Sequence, residues 1–186
     1  PKSPFTDVVA GSWYFDAALY ASSHNLMLGT SPTEFSPNIT MTRGMLVTVL
    51  YRMNGSPSVS GKTPFTDVRT DAWYSAAVLW AYQNGIVTGM SDTTFDPINN
   101  VTREQMATIL FRYTKTAAPD KAKASADLSG FADAGSVNDW AVDAMRWAVG
   151  QKLIAGITLE QSVYLQPRGN ATRAQAATVL TRYYAQ

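Results

Sequence analysis

The sequence contains no cysteine, a single histidine and few charged residues. The absence of cysteine excludes disulfide bonds, thiol catalysis and cysteine-bound metals, and it favours a cytosolic or bacterial setting over a small eukaryotic extracellular domain. The formal net charge is only +1, so we expect no broad basic surface for nucleic acid or an anionic membrane. No apolar run reaches the length of a membrane-spanning helix. Recognition of an anion would therefore depend on a few well-placed cations.

Most of the chain consists of one unit that is repeated three times. Residues 5–52 align with residues 65–112 at a constant offset of 60 without a gap, and 19 of these 48 positions are identical. A third copy, more divergent and with insertions, begins at Phe131. Linkers rich in Ser, Gly, Pro and Lys separate the copies. The sequence therefore predicts one domain with repeats at 1–54, 65–114 and 131–186 and linkers at 55–64 and 115–130.

The residue pattern of each repeat predicts a helix, a turn-rich loop and a second helix. In the second repeat Trp73, Ala77 and Trp80 fall on one face of the first helix. A threonine begins each second helix, and a glutamine three residues later gives the second and third repeats the spacing of a capping box. A two-helix unit cannot bury both of its apolar stripes alone. We therefore expect an all-α domain in which three helix–loop–helix repeats pack around a pseudo-three-fold axis.

An arginine directly follows each of these threonines. The three pairs are Thr42 with Arg43, Thr102 with Arg103, and Thr172 with Arg173. A cation in the first turn of a helix loses about 0.3–1 kcal/mol against the helix dipole. A bound carboxylate or phosphate would offset this loss if the guanidinium group and the free backbone N–H groups held it together. The alternative is an internal pairing between each arginine and an aspartate near the start of a repeat, and both interpretations can hold at once.

Other residues recur at one address in each repeat and have structural interpretations of their own. The helical spacing of the tryptophans favours the core, although an indole at a helix start can also present an edge to a sugar ring. We expect the aspartates to fix a turn rather than to contact a ligand directly. The glycines follow the first helices, where a positive φ is commonly needed. These residues are Trp13, Trp73 and Trp140; Asp7, Asp67 and Asp133; and Gly29, Gly89 and Gly156.

Three further arginines stand nine residues after the threonine-linked ones. They are Arg52, Arg112 and Arg182. More than two helical turns separate them from the helix start, so we expect them to be structural. The scattered methionines are typical of core residues that fill gaps.

The strings FTDV, GIVTG and VTREQMATILFRY resemble the S-layer homology domain, and the resemblance covers nearly the whole chain as three consecutive copies. The resemblance implies a three-pronged helical spindle that tethers exported bacterial proteins to the cell wall. It also implies an extracellular location at the bacterial surface. The expected ligand is secondary cell-wall polysaccharide, bound non-covalently and often through a pyruvylated, hence anionic, sugar.

The resemblance extends to the start of the second helix, where the family has the signature Thr-Arg-Ala-Glu. Its arginine contributes to ligand grooves between neighbouring copies, which implies such a role for the threonine–arginine pairs above, and we expect Arg103 to contribute most. Gly44 departs from the alanine of the signature. Its acidic position is occupied by Met45, Gln105 and Gln175. The loop GITLEQSVYLQP lacks the usual short turn, which predicts a disturbed groove beside the third copy.

Two other classes of function compete with an anchor. A protein-interaction or self-assembly module of a surface-layer or exported protein is compatible with the repeats. An enzyme is disfavoured because His24 is replaced by Asn84 in the second repeat and no catalytic triad, phosphate-binding loop or zinc spacing occurs. The run DTTFDP lacks the central Gly of a calcium loop, and Arg103 takes its twelfth position. We expect no catalytic residue, metal or cofactor, and a monomeric fragment of a larger exported protein.

Overall fold

A computed structural model describes residues 3–123 and 125–186. The chain is mostly helical, as predicted. In these two described ranges, three short 3-10 helices cover Pro119–Lys121, Ala134–Ser136 and Asp139–Ala141. Within the described ranges, no helix combines the length and the apolarity needed to cross a bilayer. The six α-helices found there are α1 (Phe15–Ser23), α2 (Arg43–Met53), α3 (Ser75–Gln83), α4 (Arg103–Ala117), α5 (Val142–Gly150) and α6 (Arg173–Tyr184).

A β-hairpin in the loop of the third repeat departs from the all-α prediction. Strands β1 (Ile157–Leu159) and β2 (Ser162–Tyr164) pair antiparallel, with Ile157 opposite Tyr164. Nine positions separate Gly156 from Leu165, against six between the corresponding Gly89 and Phe95. The three additional residues, together with the β-branched and aromatic side chains of Ile-Thr and Val-Tyr, allow the loop to form two short strands instead of a turn.

The second helices begin as predicted, with the threonine as the residue that caps the helix. Each threonine hydroxyl accepts the backbone amide three residues later. The side-chain oxygens of Gln105 and Gln175 in turn accept the backbone amide of the threonine, which completes the capping boxes. In the first repeat Met45 offers no such acceptor. The caps therefore account for the helix starts, and the first repeat has the weaker one.

Each second helix packs against the first helix of the following repeat. Helix α2 packs against α3, α4 against α5, and α6 returns to α1. Aromatic pairs lie across these contacts: Tyr51 of α2 meets Trp80 at 5.7 Å between ring centroids, and Phe111 of α4 meets Trp147 at 5.4 Å. Because the packing partner of each helix belongs to a neighbouring repeat, one repeat cannot bury its own apolar faces.

A closed ring of backbone hydrogen bonds joins the three repeats just before their second helices. The amide of Met41 donates to the carbonyl of Ala171, Ala171 donates to Val101, and Val101 donates back to Met41. The N···O distances are 2.8–2.9 Å, and all three residues are buried. This ring brings the N-termini of α2, α4 and α6 together at one end of the molecule, each beside the loop of a neighbouring repeat.

Candidate functional site

At the helix N-termini that carry the recurrent arginines, the backbone amides bind carbonyls of a neighbouring repeat. The amides of Arg43 and Gly44 donate to the carbonyls of Asn99 and Pro97 at 3.0 and 2.8 Å. The first two residues of α4 and α6 make the same contacts with the loop of the next repeat. Since the threonine takes the third amide, the prediction of an anion held by free N–H groups at these helix ends is wrong. Backbone carbonyls take the place of the anion.

The three guanidinium groups are buried at the interfaces between repeats, with 5–6% of each arginine exposed. Desolvation by burial lowers the pKa of each, although nearby aspartates oppose the shift. In each case Nε donates to a backbone carbonyl at 2.8–2.9 Å: Arg43 to Phe95, Arg103 to Leu165, and Arg173 to Phe35. Each arginine therefore fastens the loop of the following repeat, which compensates for its unfavourable position on the helix dipole.

The recurrent aspartates hold the same loops from within their own repeats. The carboxylate of Asp67 accepts the amides of Phe95 and Asp96 at 2.9 and 2.7 Å. Asp7 and Asp133 make the equivalent pairs of contacts. The expected turn-fixing role is confirmed. Among the described residues no ion pair joins Arg43, Arg103 or Arg173 to a carboxylate within 4 Å, so the predicted direct pairing is wrong.

The recurrent tryptophans lie at the surface, and the prediction that they belong to the core is wrong. Their exposed fractions are 66% for Trp13, 62% for Trp73 and 54% for Trp140. Helices α1 and α3 begin two residues after the tryptophan, so helical spacing does not place the first two indoles on the buried face. The alternative role, contact with a sugar ring, remains compatible with their positions.

Two open grooves lie between the repeats and have equivalent walls. We name them groove A, of about 350 Å³, and groove B, of about 480 Å³. Each combines residues from all three repeats. Groove A is lined by Arg43, Thr88, Gly89, Met90, Gln105, Arg112 and Trp140 among others. Groove B is lined by Arg103, Ala155, Gly156, Ile157, Gln175, Arg182 and Trp13 among others.

Groove A brings two guanidinium groups together. Desolvation is the main cause of the lowered pKa of Arg43; Asp96 and Asp67 counteract it, and the charge of Arg112 adds to the lowering. Burial also lowers the pKa of Arg112 itself, whose Nη1 donates to the hydroxyl of Thr88 at 3.4 Å. The expectation that Arg112 is merely structural missed this arrangement. The sequence alone does not reveal this role of Arg112, because it depends on the packing that places α4 opposite Arg43 of the preceding repeat.

Groove B is present although the longer loop of the third repeat led us to expect a disturbed groove there. The hairpin residue Ile157 forms part of the wall. The second cation is more engaged here than in groove A, because Nη1 of Arg182 donates to the carbonyl of Leu153 at 3.0 Å. A charged donor that already binds a carbonyl is less available to a ligand.

The third interface, between the third and first repeats, contains Arg173 and the loop that includes Leu28. Here Nη2 of Arg173 donates to the carbonyl of Leu28 at 2.6 Å, in addition to the contact that Nε makes with Phe35. Met45 stands at the position of the two groove glutamines. By the same correspondence Arg52, Trp73 and Gly29 belong to this interface. The protein itself therefore takes up two of the donors of Arg173.

The recurrent glycines are required by close contacts. A Cβ atom on Gly89 would lie 2.5 Å from the ring of Phe65, and one on Gly29 would lie 2.6 Å from the ring of Phe5. The predicted positive φ is confirmed for Gly89 and Gly156, at 88° and 83°, and is wrong for Gly29. Gly89 and Gly156 also line the two grooves, whereas the recurrent threonines serve in caps and the recurrent aspartates in turns, outside the groove linings.

The fold and these interfaces define a repeat module with cationic, tryptophan-edged grooves between its copies. A comparison with protein families matches residues 4–44, 64–107 and 130–177 to the S-layer homology domain. The chain belongs to this family and consists of three tandem copies of its domain. It is a cell-wall anchoring module of an exported protein, and its place is the outer surface of the bacterial cell.

Similar proteins carry this module as a small part of a longer chain. An endoglucanase of Bacillus sp. (strain KSM-635) is 33% identical over 96% of this chain and 18% of its own length. An amylopullulanase of Thermoanaerobacterium thermosulfurigenes is 28% identical over 95% of this chain and 9% of its own. A surface-layer 125 kDa protein of Lysinibacillus sphaericus is 32% identical over 83% of this chain and 12% of its own. The chain spans less than a fifth of each of these relatives.

Proposed function

We propose that the chain anchors a larger protein by binding an anionic cell-wall polysaccharide in grooves A and B, through a pyruvylated sugar. The observation that carries the proposal is the convergence of Arg43 and Arg112 on groove A, beside the exposed indole of Trp140. Two neighbouring guanidinium groups repel one another, and an anionic ligand between them would relieve that repulsion. A carboxylate also suits the geometry of a guanidinium group, which can donate two parallel hydrogen bonds.

The walls of the grooves support a sugar as the group that carries this carboxylate. Trp140 and Trp13 offer an apolar ring with a polar N–H at the edge of grooves A and B, a combination that suits a surface both apolar and wet. The side-chain amides of Gln105 and Gln175 add donors and acceptors for hydroxyl groups. The volumes of both grooves fall within the range of pockets that hold small ligands.

The arrangement of the repeats favours simultaneous use of both grooves. The cyclic helix contacts and the backbone ring support the pseudo-three-fold arrangement that we propose for the 1–54, 65–114 and 131–186 repeats. Such an arrangement would present grooves A and B on adjacent sides of one rigid body. A polysaccharide long enough to span them would gain avidity without any new contact, since the second binding step becomes intramolecular.

The proposal differs from the sequence-based expectation in the residues that it makes decisive. Arg43 and Arg103 remain groove residues, but their Nε groups are committed to backbone carbonyls, and replacing them would also damage the fold. The prediction that Arg103 contributes most is therefore replaced by the proposal that Arg112 of groove A does. Arg182 takes the corresponding place in groove B.

Calorimetric titration with purified wall polysaccharide tests the proposal. A charge-assisted hydrogen bond is worth about 1.5–3 kcal/mol, so Arg112→Gln should weaken groove A by roughly 10- to 150-fold. Arg182→Gln should weaken groove B less, and the double variant should abolish measurable binding. Arg52→Gln, at the same helical position in the third interface, is the matched control and should bind normally.

The choice of ligand supplies the second arm of the experiment. Removal of the pyruvyl groups from the polysaccharide should reproduce the loss seen in the double variant. If the Arg112→Gln, Arg182→Gln chain binds intact polysaccharide as tightly as the unaltered chain, the proposal is wrong. Sedimentation of the chain distinguishes the anchor proposal from the competing interaction module. Self-association without affinity for polysaccharide would support the interaction module instead.

A further inference from the structure

We propose that Glu104 is a positioning residue that sets the indole of Trp140 at the mouth of groove A, in place of a tyrosine that supports the tryptophan in the other two repeats. The inference deepens the proposed function, because it names what orients one wall of that groove. It concerns a residue that lines neither groove itself.

Glu104 is a buried carboxylate that reaches from the second repeat into the third. Only 2% of the residue is exposed. Its Oε2 accepts the backbone amide of Asn138 at 3.0 Å, and its Oε1 accepts the side-chain amide of the same residue. Asn138 precedes the 3-10 helix Asp139–Ala141, which contains Trp140. The carboxylate thus fixes the start of the turn that carries the indole.

The other two tryptophans are supported differently. Tyr14 and Tyr74 follow Trp13 and Trp73 directly and meet them edge to face, with ring centroids 5.3 and 5.1 Å apart. Such aromatic contacts restrain both rings. In the third repeat the residue after Trp140 is Ala141, which has no ring to offer. Trp140 therefore requires another restraint if it is to hold one position.

The residue that faces the tyrosine, or Ala141 in the third repeat, also differs between the repeats. Glu104 corresponds to Gly44 in the first repeat and to Ala174 in the third. A Cβ atom built on Gly44 would lie 2.8 Å from the carbonyl oxygen of Pro97 and 3.4 Å from the ring of Tyr74. Because the Cβ atom would already touch the ring, a longer side chain has no room there where the neighbouring repeat has a tyrosine. Where the neighbour has Ala141, the space is free for the side chain of Glu104.

Electrostatics explains why a carboxylate is tolerated in this buried position. A buried carboxylate is costly unless hydrogen bonds compensate for the lost water. Glu104 is the second residue of α4, where the helix dipole favours a negative charge. The two donors of Asn138 supply charge-assisted hydrogen bonds to its oxygens. The contacts with Asn138 and the helix dipole together stabilise the carboxylate where it holds Asn138, which is what a positioning role requires.

Fluorine NMR of the chain labelled with 5-fluorotryptophan tests the inference without any ligand. The five tryptophans give five resonances, and Trp140→Phe assigns the one of interest. Glu104→Ala should shift or broaden the Trp140 resonance and leave those of Trp13 and Trp73 unchanged. If Glu104→Ala does not fold, Glu104→Gln keeps the shape, loses one acceptor and should produce a smaller shift of the same resonance. An unchanged Trp140 resonance in a folded variant would overturn the inference.

A rescue variant and a binding measurement complete the test. Ala141→Tyr added to Glu104→Ala recreates the tyrosine with a small opposing residue, and it should restore the Trp140 resonance. In a Trp13→Ala, Arg182→Gln background, in which groove B has lost both its indole and its second cation, Glu104→Ala should weaken polysaccharide binding in groove A about tenfold and the rescue should recover it. A shifted resonance with unaltered binding would uphold the positioning role and count against Trp140 as a ligand contact. Failure of the rescue to restore the resonance would contradict the exchange of tyrosine for Glu104.

Discussion

Grooves A and B share one plan but differ in how far the protein itself uses their cationic donors. In groove A the second guanidinium group, that of Arg112, contacts a hydroxyl at 3.4 Å. In groove B the corresponding Arg182 donates to a backbone carbonyl at 3.0 Å. Arg43 and Arg103, by contrast, make the same Nε contact in both grooves. The comparison separates a shared structural arginine from a second arginine whose availability varies with the neighbouring loop.

The third interface differs from both grooves at its first arginine. Arg173 donates to two carbonyls, those of Phe35 and Leu28, so the protein satisfies donors that a ligand would otherwise use. Backbone carbonyls accept one guanidinium donor in groove A, two in groove B and two at the third interface, so the protein uses the cationic donors of groove A least. Divergence between repeats has changed the number of free donors at the interfaces while preserving the contacts that close the ring.

The largest expected effect comes from removing the aspartate that holds the loop of groove A. Asp67→Ala leaves the amides of Phe95 and Asp96 without their acceptor. Each hydrogen bond to a charged group is worth about 1.5–3 kcal/mol, so we expect a loss of about 3 kcal/mol or more in the free energy of unfolding. Binding in groove A should be lost as well, because the carbonyl that orients Arg43 belongs to the same loop. Urea denaturation and polysaccharide titration measure the two effects.

Asp7→Ala is the matched control for this change. It removes the same pair of hydrogen bonds from the loop of the third interface. We expect a similar loss of stability, with binding in grooves A and B preserved under conditions where the variant is folded. Equal loss of binding in both variants would show that the interfaces do not act separately, and the comparison between grooves would fail.

A smaller effect is expected from the exposed indoles. Trp13→Ala should weaken binding in groove B by about 1–2 kcal/mol, because an aromatic anchor at the edge of a site commonly exceeds 1 kcal/mol. Stability should change little, since two thirds of the residue is exposed. Trp73→Ala, an indole of similar exposure at the third interface, should leave binding unaltered. Equal effects of the two substitutions on titration calorimetry would contradict the assignment of ligands to grooves A and B.

Features encoded by nearby residues could be predicted from the sequence. The threonine caps, the capping boxes at Gln105 and Gln175 and the helical character of each repeat depend on side chains three or four positions apart. The turn-fixing role of Asp67 was also expected, although the amides that donate to its carboxylate lie 28 and 29 residues away. Recurrence at one address in each repeat made that role recognisable without knowledge of the partner.

Contacts between repeats could not be predicted in the same way. The carbonyls bound by Arg43, Arg103 and Arg173 lie 52, 62 and 138 residues away, and nothing local identifies a backbone carbonyl as a partner. The first-turn arginine was correctly recognised as an anomaly that needs compensation. A neighbouring carbonyl and a bound anion provide equivalent compensation, and only the packing of the repeats distinguishes them. Groove A likewise depends on two arginines from different repeats.

The smallest expected effect concerns the incomplete cap of the first repeat. Met45→Gln supplies the acceptor for the amide of Thr42 that Gln105 and Gln175 supply in the other repeats. A completed capping box should raise the free energy of unfolding by about 0.5–1 kcal/mol, measured by urea denaturation, and Gln105→Met should lower it by a similar amount.

Met45→Gln also tests what distinguishes the third interface from grooves A and B, since it supplies the glutamine found in both grooves. The contact from Arg173 to Leu28 is unaffected by this change. We therefore expect the calorimetric stoichiometry to remain that of grooves A and B. If a third binding event appeared, the missing glutamine, and not the internal use of Arg173, would account for the difference between the interfaces.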